Sequence, residues 1–367
     1  MKYTLLIRSI LPLLLLGALP GLAQPTSPDA PSAISLDSPP ADSPNRFGLA
    51  WRLSFNVKVG FKNVGAFPAR TDPGPATGGS FDRTYDDGFN RVDTTGNNHG
   101  TGYANTTWYW GYDSESQILP STSNPQSVVM HSSSSSGTEL SDRNDDPGPG
   151  FEFSYNRELL RREHWRFGLE AVFGYTDLTV EDSALTTTEV SQISDTFSVP
   201  ASSTGQFLPP PSRTATAQGP GSVIGSSPSR ATSVTQGQIT GNRRFRADLF
   251  GFRFGPYFEV PIGKKAAFNL SGGFALMYVS SDFSFNESTA VSGVGSFTSA
   301  GSSSRDELRP GGYAAGAFSY AFSPDWAAFA GAQFQDLGKY THTAGGRQAV
   351  LDLSQAVFVT LGVSYSF

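Results

Sequence analysis

The chain has 367 residues, no cysteine and a formal net charge of −6. The absence of cysteine excludes disulfide bonds, thiol catalysis and cysteine-ligated metal sites, and no cofactor is expected. An acidic chain without clusters of basic residues is also a poor candidate for nucleic-acid binding. Its 40 glycines, 28 phenylalanines and 13 tyrosines are typical of a fold made of many strands rather than of packed helices.

The first 45 residues divide into a targeting segment and a linker. A basic start precedes an apolar run over residues 10–19, and small residues offer a cleavage site after Ala23. This pattern predicts a secretory signal peptide over residues 1–23, since the run is too short for a spanning helix. Its removal takes away two basic residues, so the net charge moves from −6 to −8. Residues 24–45 hold six prolines and predict a disordered linker in the periplasm.

After the linker, apolar and polar residues alternate with a period of two in eight separate stretches. A strand places such alternating residues on opposite faces, whereas a helix would scatter both sets around its axis. The predicted strands cover residues 53–62, 151–156, 165–175, 237–259, 268–278, 312–322, 326–335 and 351–367. In the fourth stretch the apolar phase slips by one residue, which predicts a β-bulge near Leu249 and Phe250.

The connections between the predicted strands alternate between long and short. Those after strands two, four and six take about three to five residues, and those after strands one, three, five and seven take about 83, 56, 23 and 7. Every long connection therefore leaves from the same rim, as in transmembrane barrels with short periplasmic turns and longer extracellular loops. The sequence predicts an all-β, eight-stranded antiparallel up-and-down transmembrane β-barrel over residues 46–367. Its long loops lie at about 65–147, 181–236 and 284–306.

Alternation alone leaves open which face of the barrel is apolar, because soluble lipocalin-type barrels also have eight strands. Two features favour an outward apolar face. Charged residues occur among the glycines and serines of the non-apolar set, as suits a crowded polar interior: Lys58, Glu170, Arg253, Glu259 and Asp352. Aromatic residues fall near strand ends, where membrane-interface girdles lie: Trp165, Trp326, Tyr175, Tyr278 and Tyr340.

The chain closes on VFVTLGVSYSF, residues 357–367, with apolar or aromatic residues on one phase: Leu361, Val363, Tyr365 and Phe367. This segment resembles the C-terminal signature of bacterial outer-membrane proteins. With the topology, the whole barrel resembles small eight-stranded families such as the OmpA transmembrane domain, OmpX and OmpW. The resemblance implies a place in the bacterial outer membrane and contact with its lipid. It also implies that these four residues form an assembly signal, read by the barrel-assembly machinery after periplasmic chaperones have delivered the chain.

Residues 81–117, in the first long loop, combine hard oxygen donors with an unusual number of aromatic residues. The donors are Asp86, Asp87, Asp93, Asn97 and Asn98, and the aromatic cluster is Tyr103, Trp108, Tyr109, Trp110 and Tyr112. The donors would suit calcium, but their spacing is not that of an EF-hand, so no metal site is predicted. The aromatic residues are expected to pack within the loop, with an extracellular ligand as the alternative. Residues 65–147 carry eleven acidic and four basic side chains, which favours contact with cations or matrix.

Lipid A deacylases and acyltransferases on similar barrels use Ser, His and a carboxylate at the outer rim, so the four histidines are the candidates for catalysis. His131 lies in the low-complexity segment HSSSSSG, His99 lies in the first loop, and His164 lies in a periplasmic turn. His342 follows Tyr340 near the outer rim but has no evident serine partner in the sequence. All four are expected to be solvated loop residues, and no catalytic residue is predicted.

The function that these features favour is a non-enzymatic outer-membrane barrel with an envelope-structural, adhesion or surface-interaction role. The first alternative is a narrow OmpW-like channel for small apolar molecules. Eight strands leave an interior that side chains nearly fill, so a general pore is not expected. A lipid A-modifying enzyme and a soluble ligand-binding barrel are the less favoured alternatives.

Overall fold

The computed structural model describes residues 44–77, 81–92, 105–119, 126–143, 148–200 and 222–367. The predicted signal peptide and nearly all of the predicted linker lie outside the described residues. No helix in the described part of the chain is long and apolar enough to cross a membrane.

The described chain is almost entirely strand, with one short 3-10 helix at Glu115–Gln117. The strands in chain order are β1 Asn45–Phe55, β2 Lys58–Val64, β3 Arg83–Tyr85, β4 Gly88–Asn90, β5 Thr106–Thr107, β6 Trp110–Tyr112, β7 Ile118–Leu119, β8 Ser127–Ser134, β9 Thr138–Arg143, β10 Gly148–Arg161, β11 Arg166–Asp182, β12 Thr186–Ser198, β13 Ile224–Gly225, β14 Ser229–Ile262, β15 Ala266–Val291, β16 Gly295–Ala321, β17 Trp326–Asp336, β18 Lys339–Ala344, β19 Arg347–Asp352 and β20 Ala356–Ser366.

Eight of these strands form a closed antiparallel ring in the order β1-β10-β11-β14-β15-β16-β17-β20. The ring closes because β1 pairs on both sides: Trp51 lies opposite Phe151 of β10 and opposite Leu361 of β20. Closure leaves no free sheet edge around the barrel wall. The segments 162–165, 263–265 and 322–325 connect consecutive ring strands at one rim. The predicted all-β, eight-stranded barrel is confirmed.

Large apolar side chains are exposed around the outside of the ring and form a belt. Its members include Phe47, Leu49, Trp51, Phe153, Phe252, Phe254, Phe258, Phe274, Phe318 and Leu361. A continuous apolar surface of this size would be unstable in water and is stable against lipid. The outward orientation of the apolar face therefore makes the ring a transmembrane barrel.

Aromatic residues mark both ends of the belt, as predicted for four of the five girdle residues. At the short-connection rim, Trp165 stacks on Phe258, and Trp326 packs against Tyr365. At the other end the predicted residues Tyr175 and Tyr278 both pack against Phe250. The fifth, Tyr340, is fully buried beyond the belt, on the side away from the short connections, so its assignment to the girdle is wrong.

Three ring strands are much longer than a membrane requires. β14, β15 and β16 have 34, 26 and 27 residues, whereas a spanning strand takes about 9–11. β15 and β16 stay paired up to Val291 and Gly295, so the segment 284–306, expected as a loop, is mostly a regular hairpin. Its serine-rich outer face hides the strand in the sequence, while Phe283 and Phe285 on the inner face are buried.

The bulge predicted near Leu249 and Phe250 does not form, because β14 pairs with β11 in unbroken register through this point. Phe245, Ala247 and Leu249 are buried on the inner face, and Phe252 and Phe254 are exposed on the outer face. The apolar residues change phase because the strand leaves the membrane here. Within the membrane its outer face is apolar, and beyond the membrane its inner face is apolar.

The first and last predicted strands are each divided in two for the same reason. Asn56, with a φ of 57°, separates β1 from β2, and Leu353–Gln355 separate β19 from β20. Val59 of β2 and Leu351 of β19 are buried, although their sequence phase matches the lipid-facing residues of β1 and β20. β2, β9, β18 and β19 form a separate four-stranded sheet, in the order β18-β19-β2-β9, which we call the lid sheet.

Candidate functional site: the sealed barrel interior

Paired charges fill the interior of the barrel within the membrane. Arg253 lies 2.8 Å from Glu152 and 3.9 Å from Glu170. Nearer the short-connection rim, Glu259 binds Arg46 at 2.8 Å and Arg166 at 3.2 Å. These pairs connect four neighbouring strands of the ring across the interior, since their members come from β1, β10, β11 and β14.

Two predicted interior charges lie elsewhere. Lys58 and Asp352 are opposite each other in the lid sheet, and Asp352 also pairs with Lys339 at 3.0 Å. They leave the barrel interior because β2 and β19 turn away from the ring strands. Glu170, Arg253 and Glu259 are inside the barrel, as predicted.

The space between the interior charges is small. One cavity of about 80 Å³ is lined by Glu152, Glu170 and Arg253, and a second of about 100 Å³ opens among Arg46, Glu259 and Lys264. Both cavities are lined by charged side chains and are large enough to hold water.

Arg52 marks the upper limit of the charged interior. It is 2% exposed, and its guanidinium carbon lies 3.6 Å from the centroid of the Phe358 ring. Nη1 of the guanidinium lies against Gly174, where a Cβ atom would collide with it. A side chain at Gly174 would therefore force Arg52 to move from this position, a close approach that the sequence pattern does not disclose.

An apolar core closes the barrel above Arg52. Val59, Phe61 and Leu351 of the lid sheet pack with Phe245 and Phe283 from the inner faces of β14 and β15, and all five are at most 1% exposed. Other members of this core include Val57, Val64, Leu178, Val180, Ile239, Ala247, Leu249, Met277, Val279, Tyr340, Leu353 and Phe358. We call this cluster the apolar seal. It lies across the barrel where a channel would have to continue.

A buried ion network fixes the outer side of the apolar seal. The guanidinium of Arg243 binds Asp182 at 3.0 Å and Glu287 at 3.1 Å, and Arg347 binds Glu287 at 3.0 Å. The backbone N–H of Gly65 also donates to Glu287. Because Arg347 is the first residue of β19 and Gly65 directly follows β2, the network joins the lid sheet to the ring strands β11, β14 and β15.

His342, expected as a solvated residue, is buried in the apolar seal at 1% exposure. Its Nδ1 lies 2.8 Å from Oγ of Ser281, and its Nε2 lies 2.9 Å from Oγ of Ser303. These serines belong to β15 and β16, about 40 to 60 residues away in the chain, which is why the sequence showed no serine partner for His342. Burial lowers the pKa of His342, and Arg305 lowers it further, while Asp282 acts in the opposite direction.

The other predicted histidine and oxygen-donor sites are structural in the part of the chain described. Nδ1 of His131 lies 2.6 Å from Asp87, and Asp87 also accepts the backbone N–H of His131. Asp86 accepts the backbone N–H of Ser133. No group of three potential metal ligands occurs among the described residues, and Asp93, Asn97, Asn98, His99 and Tyr103 lie outside them. His164 is exposed in the turn after β10.

Part of the predicted aromatic cluster forms a second small core outside the membrane. Trp110 and Tyr112 are buried with Tyr85, Met130 and Phe197. Nε1 of Trp110 donates to the carbonyl of Ser222 at 2.8 Å. These contacts join residues of the first and second predicted loops, and we call the unit formed by β3–β8, β12 and β13 the loop unit.

The predicted assembly residues all lie on the outer face of β20 or at its end. Leu361, Val363, Tyr365 and Phe367 are exposed towards lipid. The Phe367 ring stacks on Phe47 of β1, with centroids 5.2 Å apart, at the seam where the last strand meets the first. Their recognition by assembly factors remains a prediction.

A closed eight-stranded ring, an apolar belt outside it and paired charges inside it define a transmembrane β-barrel of the outer-membrane type. Location in the bacterial outer membrane and contact with its lipid follow from this class.

No protein-family model matches the chain, and no curated protein matches it. Among solved structures, the attachment invasion locus protein Ail of Yersinia pestis is similar at 7% identity and a TM-score of 0.27, covering 88% of this chain and 97% of that chain. The outer membrane protease OmpT of Escherichia coli is similar at 11% identity and a TM-score of 0.28, covering 92% and 99%. The Pseudomonas putida toluene transporter TodX has 10% identity and a TM-score of 0.17, covering 89% and 90%. The fold assignment rests on the strand pairing and exposed belt of this chain.

Proposed function

We propose that this protein is a non-enzymatic outer-membrane barrel that presents a folded extracellular surface for adhesive or other surface contacts. The observation that carries the proposal is the apolar seal. The buried apolar cluster around Phe358 and the lid sheet supports a ring that carries an outer structure over one that surrounds a passage.

The charge of the loop unit and its neighbourhood supports a cationic partner. Arg70 is exposed, but other basic residues are used internally: Arg83 is fully buried and donates to the carbonyls of Phe81, Pro75 and Ser226. Arg230 is bound to Asp195. Exposed acids remain on the surface: Asp72, Asp82, Asp113 and Glu115. A surface with this imbalance attracts positively charged partners.

The enzyme alternative has less support. A Ser–His–carboxylate mechanism needs a carboxylate on one histidine nitrogen and an open path to the serine. Both ring nitrogens of His342 bind serine hydroxyls, and its side chain is enclosed by Phe245, Phe283 and Tyr340.

The surface-contact proposal can be tested with the folded protein in phosphatidylcholine nanodiscs, which leave both faces of the membrane accessible. We expect the discs to adsorb to an amine-coated sensor more than empty discs do. The triple variant D82N/D113N/E115Q should bind the sensor with about 10-fold lower affinity. Each exposed charge contributes up to about 1 kcal/mol at low salt.

The matched control neutralises two acids of the short connections, E163Q/D325N, and should bind as the unmodified protein does. Equal adsorption of protein-containing and empty discs, or full binding by the triple variant, would contradict the proposed surface role.

A further inference from the structure

β10 ends in an irregularity at the short-connection rim. Its register against β11 shifts between Glu158, opposite Gly168, and Leu160, opposite Phe167. Leu159 is therefore an extra residue, and the strand contains a β-bulge. Leu159 and Leu160 are 50% and 51% exposed, whereas an unbroken strand would turn one of two adjacent residues inward.

Arg157 precedes this bulge and has the outward phase of Phe153 and Tyr155. It is exposed, and no carboxylate in the described part of the chain lies within 4.0 Å of its guanidinium. The neighbouring acid, Glu158, is bound to Arg161 and Arg166 instead. A lipid-facing arginine is costly in the hydrocarbon region and is tolerated at the membrane interface, where it finds a polar partner.

The position of Arg157 places it at such an interface. It lies opposite Asn45, the first residue of β1, and the N–H of Glu158 donates to the carbonyl of Pro44 at 2.7 Å. Arg162 is exposed in the following turn, beside Glu163 and His164. Arg157 and Arg162 thus flank the two exposed leucines in the sequence, at the short-connection end of β10.

We propose that Arg157 and Arg162, with Leu159 and Leu160, form a binding site for the headgroup of an anionic phospholipid of the phosphatidylglycerol type. A guanidinium can donate two parallel hydrogen bonds to the oxygens of a phosphodiester. The leucines of the bulge would contact the beginning of the acyl chains. The site would hold one lipid at the short-connection rim, which faces the periplasm in barrels of this class.

The test uses the full chain, folded in phosphatidylcholine vesicles that contain a trace of spin-labelled phosphatidylglycerol or spin-labelled phosphatidylcholine. The motionally restricted fraction of each label gives their relative association constant. We expect a preference for phosphatidylglycerol of about two- to fivefold, the size of one basic residue acting near a charged surface. R157Q/R162Q should lower the ratio to about one, and R157K/R162K should keep much of the preference.

The matched control is R244Q/R246Q, which removes two exposed arginines beyond the opposite end of the belt and should leave the preference unchanged. Equal association of both lipids with the unmodified protein, or a preference that survives R157Q/R162Q, would overturn the site. If R157Q/R162Q fails to fold, the single variants R157Q and R162Q take its place, and a preference unchanged in both would overturn the site. Displacement by inorganic phosphate at constant ionic strength would overturn the lipid assignment in favour of a free-anion site.

Discussion

The guanidinium carbon of Arg52 lies over the Phe358 ring, 3.6 Å from its centroid, where the charged interior meets the apolar seal. The same cation contacts an aromatic ring, and its Nη1 lies close to the backbone of Gly174. Stacking on an aromatic face stabilises a desolvated cation. The contact between Arg52 and Phe358 thus allows a cation to lie at the boundary between the charged interior and the apolar seal.

Gly174→Ala tests this close approach. The added methyl group would collide with the Arg52 guanidinium and should lower the free energy of unfolding by about 1–3 kcal/mol. The control is Gly312→Ala, whose new Cβ would lie 3.7 Å from the carbonyl oxygen of Gly273, an ordinary contact distance. Urea titration of the folded protein in vesicles, followed by gel mobility without heating, measures both. Equal stability of the two variants would contradict the described packing.

Arg243→Met should break the ion network between the lid sheet and the ring. It leaves Asp182 and Glu287 buried with one fewer positive partner, which costs about 3–5 kcal/mol. The adjacent Arg244→Met removes an exposed pair with Glu181 and should cost about 0–1 kcal/mol. The same urea titration compares them, and a small effect at Arg243 would show that the network does not hold the lid.

The burial of His342 should make the free energy of unfolding depend on pH. Its pKa in the folded protein is lowered by burial and by Arg305, with Asp282 opposing, so the folded state favours the neutral ring. As pH falls below about 6.5, the unfolded chain binds a proton that the folded protein binds less readily, and stability decreases. The loss of stability between pH 8 and pH 5 should therefore be smaller in His342→Gln. An identical pH dependence in both proteins would contradict the buried neutral histidine.

Phe367 has two separable roles, a ring stacked on Phe47 and a predicted part in assembly. Phe367→Leu should reduce the stability of the purified, refolded barrel by only about 0.5–1.5 kcal/mol, the contribution of an aromatic pair. In cells the same variant should lower the amount of folded barrel in the outer membrane severalfold if assembly factors recognise the terminal aromatic. Phe47→Leu removes the same stacked pair and leaves the terminus intact. An equal loss in cells for both variants would assign the effect to the seam alone.

The barrel itself could be predicted because alternation within the membrane is enforced by two different solvents, lipid outside and a polar interior inside. The sequence did not reveal that the apolar face changes from the outer to the inner side of the wall where strands extend beyond the membrane. At Leu249 and Phe250 this reversal imitates a bulge, and at Val59 and Leu351 it imitates one continuous lipid-facing strand. Alternation shows which residues of a strand are apolar, but it does not show which face of the strand is shielded from water.

The site could be predicted only in part for a related reason. Glu170, Arg253 and Glu259 are recognisable as inward charges within clear strands. His342 acquires Ser281 and Ser303 through pairing between distant strands, one of which was assigned to a loop because of its serine-rich composition. The position of the Arg52 side chain depends on contacts with Phe358 and Gly174, both more than 100 positions away in the chain.

The most direct test of the central claim, that the interior is sealed, is single-channel recording of the folded protein in a planar bilayer. With the seal intact we expect no large, stable conductance, because ions would have to cross a core that includes Val59, Phe245 and Phe358. A variant that removes side-chain volume from this core, F245A/F358A, serves as the comparison and should conduct more often if it folds. Large and stable conductance of the unmodified protein would contradict the sealed barrel, and the proposed surface role with it.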